Sequence, residues 1–325
     1  MKEFFFAVNG IMPIIILVAV GYLLKKLRIF NDNFLSVANK VCFKVFLPCM
    51  LFINIYTIKD FTHINWQLVL FAVIATLIIF ALGLVIGKLS TNDLSQRGVI
   101  AMCVFRPNSV IIGLSLVTSI YGEIGGGTMA LLLAFTIPLF NILSIITFSV
   151  YNKNEKLNVG KTLLNLIKNP LTISILIAFG ALFVRYLLSL GDISFRLTDI
   201  SFIYQSIKTL GGLATPLALL VLGGQFAFSS AKQFAKPITI GVLCRLVIMP
   251  IATFIVAYYF FDFTQIEFAC LMCLFAAPLA VTSVVMASEM NSSAELAGQL
   301  VVWTTLLSFV TLFVYIMTFG SLGLI

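Results

Sequence analysis

The chain has 325 residues, of which 61% are hydrophobic and 10% are charged, and its formal net charge is +8. A soluble domain usually carries about 25% charged residues, so this composition excludes a water-soluble fold and predicts a protein with the bilayer as its solvent. The basic residues lie in short segments between apolar runs, which is typical of cytoplasmic loops and argues against a nucleic-acid surface.

Ten apolar runs follow one another along the chain, each near the roughly 20 residues that a helix needs to cross the hydrocarbon. The first run precedes its basic residues and lacks a cleavage site, so we interpret it as an uncleaved span rather than a signal peptide. The sequence therefore predicts an all-α membrane protein with ten transmembrane helices, over residues 4–24, 36–57, 66–87, 98–119, 128–151, 170–190, 203–224, 237–260, 265–288 and 296–319.

Lysine and arginine are distributed unequally between the alternate loops. One side holds five of them, which are Lys2, Lys59, Arg185, Arg196 and Lys208. The other side holds eleven, which are Lys25, Lys26, Arg28, Lys88, Arg97, Lys153, Lys156, Lys161, Lys168, Lys232 and Lys236. The positive-inside rule then predicts a multi-pass protein of the cell membrane with both termini outside and residues 152–169 in the cytoplasm.

The cytoplasmic segment 152–169 divides the chain into two halves of five spans, residues 1–155 and 156–325. Because five is odd, two related halves would have opposite orientations in the membrane. Residues 101–105 (Ala-Met-Cys-Val-Phe) in the fourth run resemble residues 271–275 (Leu-Met-Cys-Leu-Phe) in the ninth. The sequence thus predicts two inverted five-helix repeats.

A proline follows each of these similar segments, Pro107 in the fourth span and Pro278 in the ninth. Proline removes a helical hydrogen bond, and a helix break at membrane depth persists only where protein or a watery cavity satisfies the freed groups. Paired breaks in corresponding positions of inverted halves indicate the substrate site of a transporter, although a single membrane proline is often only a kink.

Hydrogen-bond donors follow both prolines: Asn108 and Ser109 after the first, Thr282 and Ser283 after the second. The second half of a broken helix presents its positive N-terminal end at the break. These four side chains, together with both prolines, are therefore predicted to bind the substrate.

Two arginines lie at membrane depth, Arg106 beside the first break and Arg245 in the eighth span. Intramembrane arginines are costly and rarely face lipid. We expect Arg106 to bind substrate, while Arg245 is equally consistent with a substrate ligand and with a structural brace on backbone carbonyls. No aspartate or glutamate occupies the midplane, and Glu289 comes closest. The charges favour an anionic substrate over a cationic one, although backbone carbonyls could still bind a cation.

Other kinds of site find little support in the sequence. The six cysteines lie inside apolar runs, where cysteine behaves as a small hydrophobe, and His63 falls in a polar loop. We expect no metal site, no cofactor and no disulfide. No nucleophile–base pair, HExxH motif or phosphate loop is present, so an enzyme is not expected.

With these residues considered, the chain resembles the auxin efflux carrier family, which includes plant PIN-formed auxin exporters and bacterial organic-acid permeases. The likeness covers nearly the whole chain in order. The residues that carry it are Pro48, Pro107-Asn108-Ser109 with Gly113 and Tyr121-Gly122, Lys168-Asn169-Pro170 with Thr172 and Ser174, Arg245 to Pro250, Pro278 with Val285, Ala287 and Glu289, and Thr304 to Ser308.

The resemblance implies a fold like that of the bile-acid sodium symporters, with spans 4 and 9 crossing as broken helices. It implies a scaffold of spans 1, 2, 6 and 7 and a moving transport unit of spans 3–5 and 8–10. It adds Gly113 to the predicted substrate site and gives Pro48, Pro250 and Glu289 structural roles near the crossover. Related carriers also suggest a homodimer.

Two departures from the family limit the likeness: Ser115 and Ser283 stand where prolines are usual, and the long central loop of many plant members is absent. A compact permease is therefore expected rather than an auxin carrier. The predicted function is secondary active or potential-driven transport of a small organic anion, a carboxylate, by elevator-type alternating access. The alternative is the same fold carrying a neutral or cationic solute coupled to protons or sodium.

Overall fold

The structure is a computed structural model that describes residues 2–57, 65–151, 170–190, 196–226 and 233–325. Three predicted features, the cytoplasmic segment 152–169, the boundary between the two halves at residues 155 and 156, and the loop residue His63, lie outside these described residues.

The described residues are almost entirely helical, as the composition predicts. Three π-helical turns, Cys42–Phe46, Ser109–Gly113 and Cys244–Ile248, join or begin helices. The α-helices in chain order are α1 Lys2–Lys26, α2 Asp32–Val41, α3 Leu47–Tyr56, α4 Trp66–Ser90, α5 Leu94–Phe105, α6 Leu114–Tyr151, α7 Pro170–Leu190, α8 Ser201–Gly212, α9 Ala214–Gly224, α10 Ala235–Leu243, α11 Met249–Phe260, α12 Gln265–Phe275, α13 Thr282–Glu289 and α14 Ala294–Ser321.

Eight helical stretches of the described chain are long and apolar enough to cross a membrane, and α5 and α12 are shorter apolar helices. A membrane protein is thereby confirmed, whereas the count of ten spans and the inverted repeat remain predictions. One stretch, Ser109–Tyr151, has 43 residues. It would measure about 65 Å at 1.5 Å per residue, against about 30 Å of hydrocarbon. It is interrupted at Gly122, whose φ of 60° and ψ of −146° are not helical.

The chain divides into two compact units by its internal contacts. Unit 1 comprises Met1–Ile15, Asn65–Thr162 and Phe226–Ile325, and unit 2 comprises Ile16–Ile64 and Leu163–Gln225. Unit 1 thus contains α4–α6, α10–α14 and the first part of α1, and unit 2 contains α2, α3, α7–α9 and the rest of α1 from Ile16. Within unit 2, helices α1 and α9 pack backbone to backbone, because a Cβ at Gly21 or Gly223 would overlap the facing main chain.

Pro48 and Pro250 each lie at the second residue of an α-helix that follows a π-helical turn. Because proline has no N–H, the carbonyl four residues earlier loses its helical partner. For Pro250 that carbonyl belongs to Leu246, and it accepts a 2.6 Å hydrogen bond from the Tyr315 hydroxyl instead. Tyr315 of α14 thereby satisfies the Leu246 carbonyl that Pro250 leaves without a helical donor.

Candidate functional site

The two predicted helix breaks meet in unit 1. Helix α5 ends at Phe105, and Arg106 has the extended backbone (φ −96°, ψ 98°) that a residue before proline adopts. The N–H of Asn108 donates to the carbonyl of Pro278 at 2.7 Å, and the N–H of Ala280 donates to the carbonyl of Arg106 at 3.3 Å. The two breaks therefore pair as a short antiparallel bridge, in which groups freed from one helix bond to the other.

Beyond the bridge, two helical segments begin, at Ser109 and at Thr282. The first N–H groups of a helix have no intrahelical partner, and the preceding residues, Asn108 and Val281, supply no side-chain cap. Both segments bring positive dipole ends to the crossover, and in the second the N–H groups of Ser283 and Val284 donate to the carbonyls of Ala280 and Val281 at 3.0 Å and 3.2 Å.

Three polar atoms around the break are buried and have no hydrogen-bond partner. They are Nδ2 of Asn108, Nε of Arg106 and Oγ of Ser283. Asn108 is 4% exposed and Ser283 is fully buried. Because a buried polar atom is nearly always hydrogen-bonded in a native protein, these three atoms beside two helix N-termini mark the crossover as a candidate binding site.

The guanidinium group of Arg106 is buried among neutral acceptors. Its Nη1 donates to the Phe140 carbonyl at 3.1 Å and to Ser144 Oγ at 2.7 Å. Its Nη2 donates to Asn141 Oδ1 at 2.9 Å and to Thr282 Oγ1 at 3.2 Å. None of these acceptors carries a negative charge. The hydrogen-bond partners of Arg106 are therefore neutral dipoles, and none of them is a counter-ion.

The second buried arginine, Arg245, bonds only to backbone carbonyls. Its Nε donates to Ala277 at 2.7 Å and its Nη1 to Val104 at 3.0 Å. Its Nη2 donates to Leu274 at 3.3 Å and to Phe275 at 2.9 Å. These carbonyls lie at and just beyond the C-terminal ends of α5 and α12, on the other side of each break from Ser109 and Thr282.

Gly113, which the resemblance added to the site, lies at a close helix contact. A Cβ at this position would lie 2.7 Å from the carbonyl oxygen of Cys273 and 3.1 Å from the Met129 side chain. The absence of a side chain therefore lets the segment after the first break pack directly against α12.

The predicted residues divide by location. The structure brings together Arg106, Pro107, Asn108, Pro278 and Thr282, and it buries Ser109 and Ser283 on the helical segments that begin there. Pro48 lies in unit 2. Glu289 ends α13, and its side chain lies outside what the structure describes.

Two residues of α6 that bind the Arg106 side chain, Asn141 and Ser144, were not predicted from the sequence. They are polar residues three positions apart in an apolar run, a spacing that places them on one helix face, and this pattern was the available signal. Thr304 of α14 belonged to the family resemblance but had no predicted role at the site, and its hydroxyl accepts a 3.1 Å hydrogen bond from the N–H of Leu279 in the bridge.

Comparison with known proteins gives one family. The family model described as a membrane transport protein, the membrane transport domain of the auxin efflux carrier family, matches residues 6–316. The matched range contains both helix breaks and both buried arginines. No curated protein sequence matches the chain.

Proposed function

The chain belongs to the auxin efflux carrier family of membrane transporters, and on that premise we propose that it carries a small organic anion, a carboxylate, across the membrane. One observation carries this proposal: Arg106 is buried, all of its acceptors are neutral, and its Nε and the Nδ2 of Asn108 have no partner. A buried charge without a counter-ion costs several kcal/mol. A carboxylate supplies both the missing charge and two acceptor oxygens.

The helix ends strengthen the preference for an anion. Each N-terminus carries about half a positive charge, and the segments that begin at Ser109 and Thr282 both start at the crossover. A cation at the same place would be repelled both by the helix N-termini and by the charge of Arg106. The Asn108 amide, the Ser109 and Ser283 hydroxyls and the N–H groups of the first turn after Asn108 hold the carboxylate, while Arg106 offsets its charge.

The membrane topology in this proposal has ten spans. The non-helical Gly122 divides Ser109–Tyr151 into the second half of span 4 and the whole of span 5. Helices α12 and α13 together form the broken span 9. Both termini are outside, and residues 152–169 are cytoplasmic.

Transport proceeds by an elevator movement in this proposal. Unit 1 contains the whole crossover, including every partner of Arg106. A site built within one compact unit can cross the membrane with that unit while unit 2 stays fixed. Because Arg106 moves with unit 1 and offsets the anion's charge, the membrane potential acts on the return of the unit without substrate, at about 2.3 kcal/mol per elementary charge per 100 mV.

A panel of mono- and dicarboxylates, each paired with its neutral amide, tests the proposed substrate class. Binding to the folded state raises apparent stability by about 2.7 kcal/mol at one hundred times Kd. We expect at least one carboxylate to raise the melting temperature and to enter proteoliposomes, and its amide to do neither. Equal stabilisation and uptake of the amide, or uptake that requires sodium or a proton gradient without any carboxylate, would instead establish a neutral or cationic substrate.

A further inference from the structure

The four hydrogen bonds of Arg245 link the two broken helices at the C-terminal ends that precede the breaks. Val104 is the penultimate residue of α5, and Leu274 and Phe275 are the last two residues of α12. The last carbonyls of a helix have no intrahelical donor. Arg245 supplies donors to both helices at once, and at 1% exposure it does so out of contact with solvent.

Pro278 explains one of these bonds. Because proline lacks an N–H, the Leu274 carbonyl four residues earlier cannot be satisfied by the chain that follows. The Nη2 of Arg245 donates to this carbonyl at 3.3 Å and to that of Phe275 at 2.9 Å. Arg245 thus satisfies carbonyl groups that the break in the ninth predicted span leaves without a helical donor, while its Nη1 donates to the end of the first helix of the fourth span.

The charge of Arg245 is balanced by these same helix ends. A helix C-terminus carries about half a negative charge, so two of them together offset about one positive charge. The guanidinium group of Arg106 instead contacts Thr282 at the positive N-terminal end of α13, and all of its acceptors are neutral. Of the two buried arginines, only Arg106 keeps an uncompensated charge.

We propose that Arg245 is a positioning residue that holds the crossover together, and that it is not a ligand of the substrate. It fastens the C-terminal ends of α5 and α12 into one rigid element and neutralises their dipoles, so that of the two buried arginines only Arg106 contributes to the site's preference for an anion. This inference rests on the proposed function only where it concerns the substrate's charge.

Arginine is required for this role because its planar fork carries five donors with fixed directions. A lysine ammonium keeps the charge but is a single point with three donors, which cannot reach carbonyls of both helices in the same way. Arg245→Lys therefore separates the geometric role from the electrostatic one, and Arg245→Gln removes both.

Amide hydrogen exchange on the purified protein in lipid nanodiscs tests the positioning role without any substrate. We expect Arg245→Lys and Arg245→Gln to accelerate exchange of the bridge N–H groups of Asn108 and Ala280 at least tenfold. The matched control is Arg185→Lys in unit 2, where Arg185 also donates to a backbone carbonyl, that of Tyr56 at 2.9 Å. It should leave exchange at the bridge unchanged. If Arg245→Gln does not fold, Arg245→Lys decides the result.

Uptake measured with a carboxylate and its amide then separates positioning from ligand binding. Arg245→Lys should lower the maximal rate at least tenfold while changing the carboxylate-to-amide preference less than twofold, whereas Arg106→Gln should reduce that preference at least tenfold. Unchanged exchange at the bridge together with a lost preference in Arg245→Lys would overturn the inference. If wild-type protein transports no carboxylate, the proposed substrate fails, and the exchange measurement still tests Arg245.

Discussion

The backbone N–H of Asn108 donates a 2.7 Å hydrogen bond to the carbonyl of Pro278, and this bond joins the two proline breaks. Its donor is a main-chain group, so it survives replacement of the Asn108 side chain. The side-chain Nδ2 of the same residue is buried and has no partner. The backbone of Asn108 therefore stabilises the contact between the two breaks, while its side-chain amide can donate to a ligand.

The space beside Gly113 gives a prediction about packing. In Gly113→Ala the new Cβ would lie 2.7 Å from the Cys273 carbonyl oxygen, a backbone atom that cannot rotate away. We expect a lower melting temperature and a loss of uptake of at least tenfold. Gly298→Ala in α14 is the matched control, because its Cβ meets nothing within 4 Å; alanine should leave it equally or more stable, by up to about 1 kcal/mol. Equal melting temperatures for the two variants would contradict the packing argument.

Asn141 gives a prediction about charge. Its Oδ1 accepts from Arg106 at 2.9 Å, so Asn141→Asp places a carboxylate where the guanidinium already donates. The internal ion pair should compete with the substrate and reduce carboxylate uptake at least tenfold without lowering the melting temperature. Asn141→Ala is the control, since it leaves Arg106 without a counter-ion and should retain uptake within about threefold. Full carboxylate uptake by Asn141→Asp would show that Arg106 does not meet the substrate.

The position of the breaks was predictable from the sequence, and their surroundings were not. Pro107 and Pro278 are visible as prolines in apolar runs, and the short sequence match pairs them. The acceptors of Arg106 come from Asn141 and Ser144, whose contact with it depends on how α6 packs, and a single sequence contains no record of that packing. The role of Arg245 could not be decided between substrate ligand and structural brace, because the two roles differ only in which atoms its donors reach.

The number of spans shows a similar limit. Hydropathy separated ten runs, whereas the described part of the chain has eight stretches long enough to cross a membrane and the two short apolar helices α5 and α12. The difference arises where proline ends a helix early, at Phe105 and Phe275. Hydropathy averages over such a break, because it records the polarity of side chains and not the path of the backbone.

Tyr315 gives a prediction about stability within the membrane. Its hydroxyl donates to the Leu246 carbonyl that Pro250 frees, so Tyr315→Phe should leave a buried acceptor unsatisfied at a cost of about 1–3 kcal/mol. Tyr259→Phe, at a side chain that is 73% exposed, is the control and should have no effect on the melting temperature. In the background Pro250→Ala, where the helix can satisfy this carbonyl itself, the penalty of Tyr315→Phe should shrink. A penalty of the same size in both backgrounds would refute the assignment.

Asp93 gives a prediction about pH. It caps α5, and hydrogen bonds led by that from the Ser95 hydroxyl hold its pKa below the ordinary value of 3.8. A carboxyl group with a lowered folded-state pKa stabilises the fold fully above its unfolded pKa, and this contribution is lost as the pH falls through the lowered value. The melting temperature of wild type should therefore decline below about pH 4 more steeply than that of Asp93→Asn, which keeps a capping oxygen but does not titrate. Parallel curves would exclude Asp93 as the cause.

Carboxylate uptake by Asn108→Ala in proteoliposomes tests the central claim most directly. Thr76→Val is the matched control, because the Thr76 hydroxyl is also buried in unit 1 without a partner but lies on α4. Both variants should fold with melting temperatures close to wild type, since the Asn108 bridge is made by the backbone. We predict that Asn108→Ala loses carboxylate uptake at least a hundredfold while Thr76→Val retains it. Wild-type uptake by a folded Asn108→Ala protein would contradict a substrate site at the crossed breaks.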